Sequence, residues 1–362
     1  MTPTTPSTYD QHAATGPSAD AVSARSRCDA RAIRAAAARL GLALISAEPV
    51  SLGRTGIYRV IVRTNHIDGI DGIDGDGGAA QPQISVLAAR VTRDSDALTP
   101  PAEMHQLVWQ LHELGAAVAA PSHPQAVTTA DGQVGFWEWM DHTPLTPAQW
   151  GALTASLHRT GAHLRHRRAY DPGRVFQDRL RRIHDLTRTH GHPLDGARAL
   201  ACSFEDALTT ALQDARDAAA AASDCGAVGI VHGDNQPANV MHGRGGRALN
   251  DFERIIYGPW ALDLAGLVLG IQHYGYPPSA GEQFLAGYGA GAPSLQEARP
   301  YARVRELSGI AVAMIHAGDS PQMGEQMHVR SAAITQPGHG EVPWTYLSPP
   351  RTSHLTFHRT SP

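Results

Sequence analysis

The stretch from Gly229 to Asp251 constrains this chain most. It starts with the apolar run Gly229-Ile230-Val231, continues through His232-Gly233-Asp234 to Asn239, and closes with a hairpin whose turn holds Gly243, Gly245 and Gly246. Polar side chains at the exit of a buried strand must find partners, because unpaired polar groups there are costly. The returning hairpin carries Asp251 back toward the same strand end, so Asp234, Asn239 and Asp251 can converge on one point. Each residue alone also fits a turn or a cap.

As a set they suit transfer of a phosphoryl group from ATP to a hydroxyl. That chemistry takes one carboxylate to orient the acceptor, the role that fits Asp234. It also takes hard oxygen donors to hold Mg²⁺ against the nucleotide phosphates, the role that fits Asn239 and Asp251.

The rest of the chain gives this loop a setting. Residues 1–27 are rich in Thr, Ser, Pro and Ala and read as a disordered arm. A helix follows, with Ile33, Ala36, Ala37 and Leu40 on one face and Gly41 as its stop. Two strands come next, over "GIYRVIVRT" and "ISVLAARVT", separated at 65–83 by a loop containing three Ile-Asp-Gly repeats. That loop lacks the closing Glu of a twelve-residue calcium loop and reads as an expanded hairpin tip. A helix with Met104, Leu107, Val108 and Leu111 on one face and a strand, "GQVGFWEWM", complete a small lobe over 28–140. From Thr146, which caps a helix opened by Pro147, the pattern is mostly helical through 330, and 331–362 reads as a weakly ordered tail on which Trp344 and Tyr346 can dock. The expectation is an α+β, two-lobed chain: a small N-terminal lobe with an antiparallel sheet, a larger helical C-terminal lobe, and a ligand cleft between them.

On these residues the chain resembles the aminoglycoside phosphotransferase and choline kinase-like family. His232-Gly233-Asp234 with Asn239 and Asp251 is similar to the family's His-Gly-Asp-x-x-x-x-Asn loop and metal-binding Asp, and "YGPWALDLAGLV" is similar to its Gly-Pro-x-x-x-Asp-Leu-Ala segment, with Asp263 as the acidic anchor. The resemblance runs from about residue 30 to 320. It implies a protein kinase-like fold, ATP and Mg²⁺ as cofactors, and a small hydroxylated acceptor. It implies a nucleotide-covering loop at Gly53 and Gly56, a phosphate-pairing Arg90 where the family has Lys, Glu103 as the partner of Arg90, and a base-contacting hinge over "FWEWM" around Glu138. His232 is implied as a brace for the loop, as is His158 beneath it. One departure is Asn250, a polar residue just before Asp251, which would loosen the metal site.

Composition narrows the alternatives. The 362-residue chain has a formal net charge of -4 and no lysine, so coating nucleic acid has no electrostatic support. Its three cysteines form no Cys-x-x-Cys pair and read as reduced thiols. No secretory leader or membrane-spanning run is legible, which points to a cytoplasmic protein. An aminoglycoside acceptor would call for clustered carboxylates in the helical lobe, where Glu282 and Glu297 are scattered candidates; other antibiotics or a biosynthetic intermediate fit as well. The rival reading is a nucleotide-binding but catalytically idle regulator on the same scaffold, favoured by Asn250, the sparse glycine loop and the long tails. His354 and His358 have ligand spacing for a metal but no acidic residue between them.

Overall fold

In the computed structural model the described residues are 19–52, 55–64, 83–93, 99–164, 168–174, 176–335 and 343–345. The chain opens with helix α1 (Ala19–Arg39), ended by Gly41 at a left-handed φ of 69°. The helix begins well inside the segment that composition assigns to a disordered arm. Strands β1 (Leu42–Leu52), β2 (Gly56–Thr64) and β3 (Gln83–Thr92) follow, then helix α2 (Pro101–Glu113), strands β4 (Val127–Thr129) and β5 (Gly132–Glu138). These five strands form one antiparallel sheet in the order β1-β2-β3-β5-β4.

Strand β1 is absent from the sequence reading. Pro49 breaks its pattern, and an edge strand with bulges at Leu44/Ser46 and Pro49/Ser51 is where such a residue is tolerated. The alternation read in β2 is real: Tyr58, Val60 and Val62 turn inward against Ala32, Ile33, Ala36 and Ala37 of α1, and all are buried. The other side of the sheet, through Trp137, joins α2 and the large lobe in a second core.

The short strand β6 (Asp141–His142) then carries the chain into helix α3 (Pro147–Gly161), whose N-terminus has a complete capping box between Thr146 and Gln149. Helices α4 (Gln177–Leu186) and α5 (Arg198–Asp224) lead to β7 (Val228–Val231). The hairpin β8 (Val240–Gly243) and β9 (Gly246–Leu249) follows, then β10 (Ile256–Pro259) and helices α6 (Ala265–His273), α7 (Ser279–Tyr288), α8 (Leu295–Ile315) and α9 (Pro321–Thr335). β7 pairs with β10, while β6 pairs with β8, so the segment leaving the small lobe is fastened to the hairpin expected from the sequence.

Helices α3 and α7 meet at backbone distance. A Cβ at Gly287 would stand 1.9 Å from the Ala148 carbonyl oxygen, and one at Gly151 would stand 2.0 Å from that of Phe284. This close crossing fixes α3, which buttresses the loop after β7. In the tail Trp344 is buried against His273, with ring centroids 4.1 Å apart; Tyr346 lies outside the described residues, as do Gly53, the 65–82 repeat segment, His354 and His358.

Candidate active site

Strand β7 ends at Val231, and the loop that follows is organised around one buried carboxylate. Asp263 Oδ2 accepts the His232 backbone N–H at 2.8 Å and Oδ1 accepts that of Gly233 at 2.9 Å. Oδ2 also bonds His158 Nε2 at 2.9 Å, and His158 Nδ1 meets the Tyr288 hydroxyl at 2.8 Å. Burial opposes the charge on Asp263, but His158 and His232 outweigh it and hold the carboxyl below its ordinary value. Gly233 has φ 75°, and a Cβ there would lie 2.2 Å from the Arg254 carbonyl oxygen, so only glycine fits.

Helix α3 supplies the second support. Trp150, Thr154 and His158 lie one turn apart along a single face. Trp150 Nε1 donates to Asn235 Oδ1 at 2.7 Å, and Asn235 Nδ2 donates to Thr154 Oγ1 at 2.9 Å and to the Asp263 carbonyl at 3.1 Å. The sequence reading missed Asn235, Trp150 and Thr154 as parts of this scaffold, although their four-residue spacing to His158 is visible.

His232 is held between the loop and the strand that returns beside it. Its Nε2 meets the Asn250 carbonyl at 2.8 Å, and its ring packs on Phe252 at 4.6 Å. Asn239 Nδ2 donates to the Asp234 carbonyl at 2.8 Å, while its own carbonyl accepts the Asn250 N–H at 2.7 Å. Asp234, Asn239 and the Asp251 segment are thereby tied into one unit. The Asn239 Oδ1 has no hydrogen-bond partner among the described residues. Asn250, expected to loosen this region, is held at both its backbone groups, and its Nδ2 contacts Met241 Sδ at 2.8 Å. Its polarity is absorbed within the hairpin.

Asp234 is partly exposed and pairs with Arg305 of α8. Burial raises its pKa, but Arg305, Arg254 and His232 together bring it below the ordinary carboxylate value. Asp251 adopts φ 66°, the only non-glycine positive φ among the described residues, a conformation that costs about 1 kcal/mol. Across the cleft Arg90 Nη2 reaches Asp251 Oδ1 at 2.7 Å and Glu253 Oε1 at 2.6 Å. Burial disfavours the Arg90 charge, yet these carboxylates outweigh it and raise its pKa. Thr55, beside the described end of the β1–β2 turn, donates to the same Glu253 oxygen.

Three expectations change. Among the described residues Arg90 pairs with Asp251 and Glu253, the two carboxylates that the loop after β9 presents to it, in place of Glu103, which sits half-buried in the first turn of α2. Gly56 is explained by packing: a Cβ there would stand 2.6 Å from Asp29 Oδ2, on the α1 side of the sheet. The Glu138 side chain accepts the Arg244 N–H at 2.7 Å and caps the β8–β9 turn, and its own N–H bonds the Ala120 carbonyl at 2.8 Å. Trp137 is core, whereas Trp139 lies under the Arg59 guanidinium at 5.5 Å.

A cavity of about 420 Å³ opens beside Asp234, walled by the 170s segment, α6, one face of α8, Arg330 and Trp344. Neither Glu282 nor Glu297 lines it; Glu297 instead forms a capping box with Ser294 at the start of α8. Among the described residues no three His, Cys, Asp or Glu side chains gather as a metal cluster, and no helix is long and apolar enough to cross a membrane. The cysteines among them are free.

Residues 81–307 match the sequence profile of the phosphotransferase enzyme family. Amicoumacin kinase hAmiN, solved in complex with AMP-PNP, Ca²⁺ and Ami, superposes with TM-score 0.58 at 16% identity, over 90% of this chain and 98% of that one. Choline kinase LicA from Streptococcus pneumoniae gives TM-score 0.52 at 13% identity over 84% of this chain and 97% of its own. A microcompartment-associated aminopropanol kinase gives 0.51 at 17% identity, covering 83% and 94%. No curated protein sequence matches the chain. These likenesses establish the bilobal kinase-like fold expected from the loop and its setting. With more than half of its 362 residues matched, the chain belongs to the phosphotransferase enzyme family.

Proposed function

We propose that the protein is an ATP- and Mg²⁺-dependent O-phosphotransferase whose acceptor is a hydroxyl on a small molecule, an antibiotic or a biosynthetic intermediate. The observation that carries this reading is the hydrogen-bonded unit of Asp234, Asn239 and the Asp251 segment, with Asp234 on the wall of a cavity of small-molecule size. The names of the structural neighbours, kinases of amicoumacin, aminopropanol and choline, agree with an acceptor of that size.

In this reading Asp234 accepts a hydrogen bond from the acceptor hydroxyl and aims its oxygen. Arg305 and the neighbouring charges favour the ionised form of Asp234, which suits it to orient the hydroxyl as a hydrogen-bond acceptor. Asn239 Oδ1 and the Asp251 carboxylate fit Mg²⁺: both are hard oxygens, and a set of one or two protein donors is what that ion takes when phosphates complete its shell. Bound there, the ion would neutralise charge on the nucleotide phosphates. Arg90 stands beside Asp251 with a permanent charge and a fork of donors suited to phosphate. Gly53 keeps the role of a nucleotide-covering turn, while Gly56 serves the packing of that turn's flank on Asp29.

The test pairs Mg²⁺-ATP binding by calorimetry with detection of phosphorylated product across hydroxylated small molecules. Binding with transfer to a member of the panel is expected. Binding with no transfer to any acceptor would favour the idle regulator, and absence of both would remove the proposal.

A further inference from the structure

The cavity beside Asp234 carries a charge that the proposed reaction leaves unexplained. Four arginines line it, Arg179, Arg254, Arg305 and Arg330, against two aspartates, Asp171 and Asp234. Arg305 is compensated by Asp234. Arg330 is 1% exposed, and no carboxylate faces it among the described residues. Its hydrogen-bond partners are the Thr345 carbonyl at 2.5 Å, Gln326 Oε1 at 3.3 Å, the Gly309 carbonyl at 3.5 Å and the Tyr274 side chain, none of them a carboxylate. The guanidinium lies 4.5 Å from the centroid of Trp344, and burial pulls its pKa below the ordinary value. A buried cation without an anion is unfavourable, and a guanidinium is not relieved by losing its proton. Arg254, half-buried on the same wall, acts on Asp234 through its charge but, unlike Arg305, makes no hydrogen bond to it.

An independent observation points the same way. The hydroxyls of Tyr301 and Tyr170, both lining the cavity, are buried without a hydrogen-bond partner among the described residues. Burial pushes Tyr301 up to about 12 and raises Tyr170 as well, so each is an O–H donor at neutral pH. The wall therefore offers an excess of donors and positive charge, while its rings supply apolar surface.

We infer that the acceptor is a hydroxy compound bearing an oxyanion, a carboxylate or a phosphate, and that Arg330 is the group that receives it. The planar fork of Arg330 matches either oxyanion, with Arg254 and the two phenols as further donors along the wall. The spacing is compatible with a compact molecule. Arg330 meets Gly309 of α8, one helical turn, about 6 Å of rise, beyond Arg305, which holds Asp234. A polycationic acceptor would meet like charge at this wall. The inference depends on the phosphotransfer reading only in treating the occupant as an acceptor.

A matched probe series separates the two claims: 4-(hydroxymethyl)benzoate, its amide, 4-(hydroxymethyl)benzylamine and 4-(hydroxymethyl)phenyl phosphate, titrated calorimetrically into the full chain with and without Mg²⁺-ATP. Either anionic probe should bind about tenfold or more tightly than the amide, with the tighter of the two naming the oxyanion. Arg330→Gln should abolish that preference while leaving Mg²⁺-ATP affinity unchanged. Because Arg330 is buried, Arg254→Gln is the companion variant; it should weaken only the anionic probes and keep the wild-type circular dichroism spectrum. Equal binding of all four probes, preference for the benzylamine, or loss of ATP binding in Arg330→Gln would overturn the inference. Anion preference without phosphorylation of any probe would leave the inference standing and count against the kinase reading.

Discussion

Replacing Asp263 with Asn changes almost no volume yet removes the organising charge of the loop. The carboxylate accepts from three donors, the His232 and Gly233 backbone N–H groups and His158 Nε2, all within 2.9 Å. An amide has one oxygen, so however it turns, its NH₂ meets a buried donor. At least one of those donors is then unsatisfied, at ~1–3 kcal/mol each, and the charge facing His158 is lost as well. Hydrogen bonds to a charged group contribute ~1.5–3 kcal/mol each, so weakening two of them is a large fraction of the ~5–15 kcal/mol that a protein has. The expected loss is therefore about 3–5 kcal/mol, read as a lowered urea midpoint followed by circular dichroism. pH supplies a second signature. Since the folded pKa of Asp263 lies below the ordinary 3.8, its stabilisation is complete above that value and disappears as pH falls through the lower folded value. The gap between wild type and variant should stay constant from neutral pH to about pH 4 and narrow in stronger acid. A variant within about 1 kcal/mol of wild type at neutral pH would refute the view that Asp263 organises the loop.

Arg305→Gln removes the largest influence lowering the Asp234 pKa, so the acid limb of the kcat/KM profile should move to higher pH; an unmoved limb would show that the ion pair does not set it. Gly287→Ala drives a Cβ onto the Ala148 carbonyl where α3 crosses α7 and should cost about 3 kcal/mol or more, measured by urea unfolding. Gly245→Ala, with no atom within 4 Å of the new Cβ, should stay within about 0.5 kcal/mol in the same measurement.

The elements that could be read from sequence share a cause: their information is local. Asp234, Asn239 and Asp251 sit on one loop and its hairpin, so the chain between them states how they meet. The α2 and α3 helices carry their apolar faces and their start signals in contiguous residues. What could not be read depends on distant partners. Arg90 met Asp251 and Glu253 instead of Glu103 because the choice is made by how a loop from the other lobe sits across the cleft. Gly56 resembles a phosphate-loop glycine, but the atom that forbids a side chain there belongs to Asp29 on α1. No local motif marks Arg254, Arg305 and Arg330, and only the folding of α8 against α9 and the loop after β9 gathers them around one cavity. The regular spacing of Tyr301, Arg305, Ser308 and Val312 on α8 was a legible hint of a lining face.

The central claim is that Asp234 orients an acceptor hydroxyl for phosphoryl transfer. It is tested most directly by comparing product formation from Mg²⁺-ATP in wild type and Asp234→Asn, using an acceptor that the wild type phosphorylates. The account predicts a fall in kcat of at least ~10²-fold with nucleotide affinity retained. Equal turnover by the two proteins would contradict it.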